Sequence, residues 1–214
     1  MRASALLRTS PYLLIESLKS RINVTKHSQR LEVAQANKMQ STLKHLGLFD
    51  NDTLEDGAAL PLCYHFAYFP PQLAEAELGP DGADKTFNAG DPYTRRMWAG
   101  GRLSWNLDNP LCVGQTVEET TSLDRAESKL TRDTKTMIVV TAKKEYRNEN
   151  GLALTDRRSW LFREPDNSQL IHPRKGAVLR PNDNAIGTRI GTVKASEITL
   201  FRYSALTFNS HKIQ

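Results

Sequence analysis

Residues 136–162 read Thr136-Met-Ile-Val-Val-Thr-Ala-Lys-Lys-Glu-Tyr146, then Arg-Asn-Glu-Asn-Gly-Leu, then Ala153-Leu-Thr-Asp-Arg-Arg-Ser-Trp-Leu-Phe162. Two runs rich in β-branched and aromatic residues, separated by the turn Asn148-Glu-Asn-Gly151, are the pattern of a β-hairpin. Working outward, Thr116–Leu123 alternates in part, and Gly101–Trp105 leads into a turn at Pro110. Further upstream, Leu60–Phe69 carries Tyr64, Phe66, Tyr68 and Phe69 before Pro70-Pro71, and it too reads as a strand. One helical pattern precedes these strands, over residues 29–47. Leu31, Val33, Ala34, Met39, Leu43 and Leu46 form its apolar face and Gly47 suits its stop. The expected fold is α+β: an antiparallel meander of long strands with one short helix upstream, filling residues 29–165.

Between the first strand and the meander lies Leu78–Tyr93, dense in Gly, Pro, Asp and Asn. A loop of that length in a compact domain is commonly functional or mobile. After the meander, residues 166–193 hold Pro173, Pro181 and many polar residues and read as a linker. Residues 194–214 then begin a second unit, with Glu197–Tyr203 expected as a strand and Thr207 as the start of a helix.

Of the 214 residues, 39% are hydrophobic and 25% charged, ordinary proportions for a globular protein. No run of eighteen apolar residues is present, so a membrane-spanning helix is not expected. The formal charge of +5 is local. Residues 1–48 hold eight Lys/Arg against Glu16 and Glu32; taking these from the totals of 29 and 24 leaves 21 basic and 22 acidic residues for the body. A nucleic-acid-binding domain carries its charge on the folded body, so nucleic acid is excluded as a partner. The first thirty residues are basic and acid-poor, with Leu6, Leu7, Leu13, Leu14 and Leu18 near helical spacing, and residues 1–28 are read as a mitochondrial presequence. Cys63 and Cys112 form no paired motif, which fits a reducing compartment and two buried, inert thiols.

Two strings carry a family resemblance. The first is Arg95-Arg-Met-Trp-Ala-Gly-Gly-Arg102 with Pro110-Leu-Cys-Val-Gly114, Gly151-Leu-Ala-Leu-Thr155 and Phe162-Arg-Glu164; the second is Leu200-Phe-Arg-Tyr-Ser-Ala-Leu-Thr-Phe-Asn-Ser-His-Lys-Ile213. Together they resemble the mitochondrial (3R)-hydroxyacyl-thioester dehydratases and the related mesaconyl-CoA and itaconyl-CoA hydratases. The resemblance implies a hotdog fold, with one complete hotdog at 29–165 and the truncated start of a second, catalytic hotdog at 194–214. It implies no metal or redox cofactor, an acyl thioester of coenzyme A or acyl carrier protein as partner, and a homodimer. It makes His211 the catalytic residue; beside the resemblance, Ser204, Thr207 and Asn209 surround it with short polar groups that can orient the ring or hold the water. The wider MaoC-like hydratases carry an Asp five residues before this His. Leu206 stands there instead, and Phe208 stands where an Asn is expected, so His211 must work with other partners.

Dehydration of a 3-hydroxyacyl thioester needs a group that removes the α-proton and protonates the departing hydroxyl. An imidazole, with its near-neutral pKa, serves both steps. Backbone amides of a helix opening at Thr207 would suit the thioester oxygen. Arg95, Arg96 and Arg102 are candidate contacts for the phosphates of the carrier. His65 reads as a core or pocket-wall residue, His172 as solvated in the linker, and His27 and His45 lack metal-ligand spacing. Trp98, Gly100 and Gly101 read as sheet packing, the glycines permitting close approach. The reading is a hydro-lyase of fatty-acid-synthesis type. A dicarboxylyl-CoA or specialised-metabolite dehydratase is one alternative; a non-catalytic acyl-thioester-binding or scaffold protein is the other.

Overall fold

The hairpin at the Asn-Gly turn is central to the sheet in a computed structural model that describes residues 10–47, 53–131, 134–165 and 196–212. Its strands are β4 (Thr136–Asn148) and β5 (Gly151–Arg163), with Asn148 paired to Gly151. Strands β1 (Thr25–Arg30), β2 (Arg95–Trp105) and β3 (Thr116–Leu130) complete an antiparallel sheet in the order β1-β3-β4-β5-β2. Alternation decides the faces: Ile138, Val140, Ala142 and Tyr146 of β4, with Leu154 and Phe162 of β5, are buried on the inward side. The α+β hotdog arrangement is therefore observed, a sheet packed around a helix.

That helix is α2 (Val33–Leu43), extended by a 3₁₀ turn at Lys44–Leu46. Ala36 and Met39 meet Tyr64, Tyr68, Val117, Tyr146 and Leu154 in the first core cluster. Gly47 closes the helix in the left-handed conformation, φ 64°, the expected stop. The segment expected as a single helix over 29–47 is split, because Gln29 and Arg30 pair with Val117 and Thr116 in β1. The domain begins earlier than residue 29. Helix α1 (Pro11–Arg21) sets Ile15 and Leu18 against Ile138, Val140 and Phe162 in a second cluster. Burying two such side chains contributes about 3–6 kcal/mol.

Two expected strands are helical. Leu60–Phe69 forms a 3₁₀ turn at Tyr64–Ala67 rather than a strand. Its buried residues Tyr64, His65, Ala67, Tyr68 and Phe69 follow no period-two alternation, and aromatic content alone suggested a strand. Glu197–Tyr203 belongs to α3 (Glu197–Leu206), capped by the Ser196 hydroxyl, which accepts from the Thr199 amide at 3.2 Å. Thr207 ends this helix instead of starting one. Through Tyr203 and Leu206, α3 packs on the first core, and Thr199 Oγ1 lies 2.9 Å from His45 Nε2. The 166–193 linker and His172 lie outside the described residues. Cys63 and Cys112 are free thiols, half-buried rather than buried. Among the described residues, no helix is long and apolar enough to cross a membrane.

Candidate active site

The loop at Gly79–Ala83 folds back on itself: Gly82 N donates to Gly79 O at 2.8 Å, and Gly79 N to Ala83 O at 2.8 Å. Ala83 N donates to Asp81 Oδ1 at 3.1 Å, so this bond does not engage Oδ2. The segment after α3 crosses this loop. Ser210 Oγ donates to Gly82 O at 2.6 Å, Lys212 N to Asp81 O at 2.9 Å, and Lys212 Nζ to Pro80 O at 2.7 Å. The crossing brings His211 Nε2 to 3.4 Å from Asp81 Oδ2. The imidazole is 27% exposed, half-buried.

Of the supporting residues, Asn209 is closest in role. Its Oδ1 accepts the His211 amide at 3.2 Å, and its own amide donates to Ser204 O at 2.8 Å. Thr207 Oγ1 is turned back into α3, donating to Tyr203 O at 2.9 Å. It therefore caps a helix C-terminus, and the expected helix N-terminal amides beside His211 are not supplied at that position.

The three arginines separate. Arg96 pairs in register with buried Phe162, so it faces inward; its Nη2 lies 3.6 Å from Asp81 Oδ2, and its Nη1 donates to Asp84 O at 2.9 Å. Arg95 pairs with Arg163 and Arg102 with Arg157, on the outward face, and both are exposed. The structure thus gathers Arg96 with His211 and leaves Arg95 and Arg102 on the other side of the sheet. Trp98 is 63% exposed and turns its ring over Gly101, where a Cβ would meet the indole at 3.1 Å. Asp81 was missed in the sequence; the only signal was the length and turn content of its loop.

A second histidine–carboxylate pair lies inside the first domain. His65 is 1% exposed, tilted against Phe66 and edge-on to Tyr146, with ring centroids at 4.2 and 5.2 Å. Its Nε2 has no hydrogen-bond partner, and Asp156 Oδ2 stands 4.0 Å away, beyond bonding range. Asp156 is instead held by Arg158, whose Nη2 and Nε approach Oδ2 at 2.6 and 2.8 Å. Burial lowers the His65 pKa below its ordinary 6.5, outweighing the carboxylate, so the ring is neutral. Burial pushes Asp156 up, but the bonded Arg158 guanidinium, with the His65 ring facing the same oxygen, outweighs it and holds the carboxyl below its usual range. Cys63 nearby is pushed up by burial and by Asp156, which keeps it a thiol. The cavity that His65 lines with Leu60, Leu62, Trp105 and Leu107 measures about 30 Å³, room for a water and not for an acyl chain.

Residues 63–214 match the family described as hydroxyacyl-thioester dehydratase type 2. The mesaconyl-C(4)-CoA hydratase of Chloroflexus aurantiacus is 32% identical over 156 residues, which cover 72% of this chain and 53% of the relative. The chain thus spans about half the length of that curated relative. Among solved structures, the ChsH1–ChsH2 complex from Mycobacterium tuberculosis is similar at TM-score 0.53 and 12% identity, covering 74% of this chain and 93% of that one. A MaoC-like dehydratase is similar at TM-score 0.50 and 11% identity, covering 92% and 69%. At those identities the likeness speaks for the fold.

Proposed function

Because this chain belongs to the hydroxyacyl-thioester dehydratase type 2 family, we propose that it serves as a hydro-lyase, interconverting (3R)-3-hydroxyacyl thioesters with water and trans-2-enoyl thioesters. His211 is the acid/base residue of this reading. It takes the C2 proton; that electron pair forms the C2–C3 double bond as the C3–O bond breaks; the same proton leaves on the hydroxyl as water. The observation that carries the assignment is the clamped crossing at Gly79–Ala83, which holds His211 half-buried beside a carboxylate. His65, neutral and sealed behind a cavity of about 30 Å³, has no comparable access.

The test is hydration by the full-length protein of crotonyl-CoA, a linear acyl thioester, compared with mesaconyl-CoA. Turnover of the linear thioester supports the fatty-acid-type reading. Turnover of mesaconyl-CoA alone replaces it with a dicarboxylyl-CoA hydratase, the activity that the 32%-identical relative is named for. Absence of turnover on either sinks the catalytic reading in favour of thioester binding. Mitochondrial import and homodimer assembly belong to the same proposal, the first supported by the basic, acid-poor residues 1–28. Since α1 and β1 are built into the domain, cleavage is expected before Pro11. A fusion of residues 1–40 that stays diffuse in the cytosol rules import out.

A further inference from the structure

We propose that Asp81 is the positioning carboxylate of His211, fixing the imidazole with its Nε2–H toward the loop and leaving Nδ1 as the proton-accepting atom. The proposal rests on the acid/base reading of His211 and names the partner that reading lacks. In the MaoC-like pattern an Asp stands five residues before the histidine. Here that position is Leu206, whose side chain packs against the first core. The structure supplies a carboxylate from another part of the chain.

Three features fit the loop to that task. Asp81 Oδ1 is occupied by the Ala83 amide at 3.1 Å, so Oδ2 is the oxygen presented to His211 at 3.4 Å. Arg96 approaches the same oxygen at 3.6 Å and is itself tied to Asp84 O at 2.9 Å, so a fixed cation stands beside the carboxylate. The backbones of loop and tail also touch. Gly82 lies at φ +77°, and a Cβ there would run into the Ser210 carbonyl oxygen. Glycine is required for the approach that Ser210 Oγ, Lys212 N and Lys212 Nζ then clamp.

The chemical consequence follows from the donor inventory. A carboxylate accepts only, so the ring nitrogen facing it carries the hydrogen, and the other nitrogen keeps its lone pair. When Nδ1 takes the C2 proton, the imidazolium charge forms beside an anion. The proton then passes from Nδ1 to the leaving hydroxyl, and the neutral tautomer is restored.

The experiment uses the full-length protein with ¹⁵N-labelled histidine, reading the His211 ring nitrogens by NMR and kcat and KM on crotonyl-CoA. Wild type is expected to show the Nε2–H tautomer. Asp81→Ala should lose that preference and drop kcat by about 10²-fold or more, with KM within about twofold, as when an orienting carboxylate is removed from a catalytic histidine. Asp81→Glu should recover most of the rate. Gly82→Val, with Asp81 intact, should reproduce the loss by parting loop from tail, and dispersed ring signals report that each variant is folded. An Nδ1–H tautomer in wild type overturns the proposal, as does unchanged kcat in Asp81→Ala when His211→Ala is dead. If His211→Ala keeps full turnover the acid/base reading fails by itself, and the tautomer still decides whether Asp81 and His211 are paired.

Discussion

His65 and His211 each face an aspartate, at 4.0 and 3.4 Å, yet their surroundings differ, and the proposed function gives the chemistry to only one of them. His65 is sealed among Phe66, Tyr146 and the wall of a water-sized cavity, with an aspartate already satisfied by Arg158. His211 is partly exposed, on a tail clamped across a loop, and its aspartate presents to it an oxygen that Arg96 also approaches, at 3.6 Å. The contrast teaches that a histidine–carboxylate pair is not by itself a catalytic signature. Burial removes water from the His65 pair alone; the His211 pair, with side chains 27% and 39% exposed, stays open to solvent.

The comparison breaks first at Asp156. Asp156→Ala leaves the Arg158 guanidinium without its ion-pair partner, and the expected loss is about 3 kcal/mol, read as a lower urea midpoint. A change under about 0.5 kcal/mol would mean that the buried pair contributes little and that the two sites differ less than their geometry says.

Acid should then single out His65. Its folded pKa lies below its ordinary 6.5, so the unfolded chain binds the extra proton first as pH falls. The stability tied to the neutral ring is complete above pH 6.5 and is lost between there and the lowered folded value. The slope reaches at most about 1.4 kcal/mol per pH unit for one proton. Asp156 adds nothing in that window; its contribution stands above its ordinary 3.8 and is lost only as pH falls through its lower folded value. Urea midpoints from pH 7.5 to 5 should decline in wild type and flatten in His65→Leu; equal slopes would contradict the neutral, buried assignment.

Smaller effects are expected from the substitutions themselves. His65→Leu keeps volume and removes an unpartnered buried nitrogen, so thermal stability at pH 7.5 should move by less than about 1 kcal/mol. His211→Ala, on a half-exposed tail, should move it by less than about 0.5 kcal/mol. A larger loss there would make His211 a structural residue.

How much of this was legible from sequence follows from the range of the interactions. The meander from Thr116 to Phe162 was readable because β-branched and aromatic residues and the turn at Asn148–Gly151 mark its strands, with partial alternation over Thr116–Leu123. Leu60–Phe69 and Glu197–Tyr203 were misread because aromatic and β-branched residues favour strands locally, whereas a 3₁₀ turn at Tyr64–Ala67 and a helix capped by Ser196 form there. The arginine trio was separable in principle, since adjacent strand residues such as Arg95 and Arg96 point to opposite faces. His211 came from its surrounding string. Asp81 could not, because nothing local ties a loop aspartate to a histidine so far along the chain.

The measurement closest to the central claim is hydration of crotonyl-CoA by the full-length protein carrying either His211→Ala or His65→Leu. His211→Ala is expected to lose about 10² to 10⁴ in kcat, and His65→Leu to keep wild-type turnover. Retained turnover in His211→Ala, with loss in His65→Leu, would contradict that claim and move the chemistry into the first domain's buried pair.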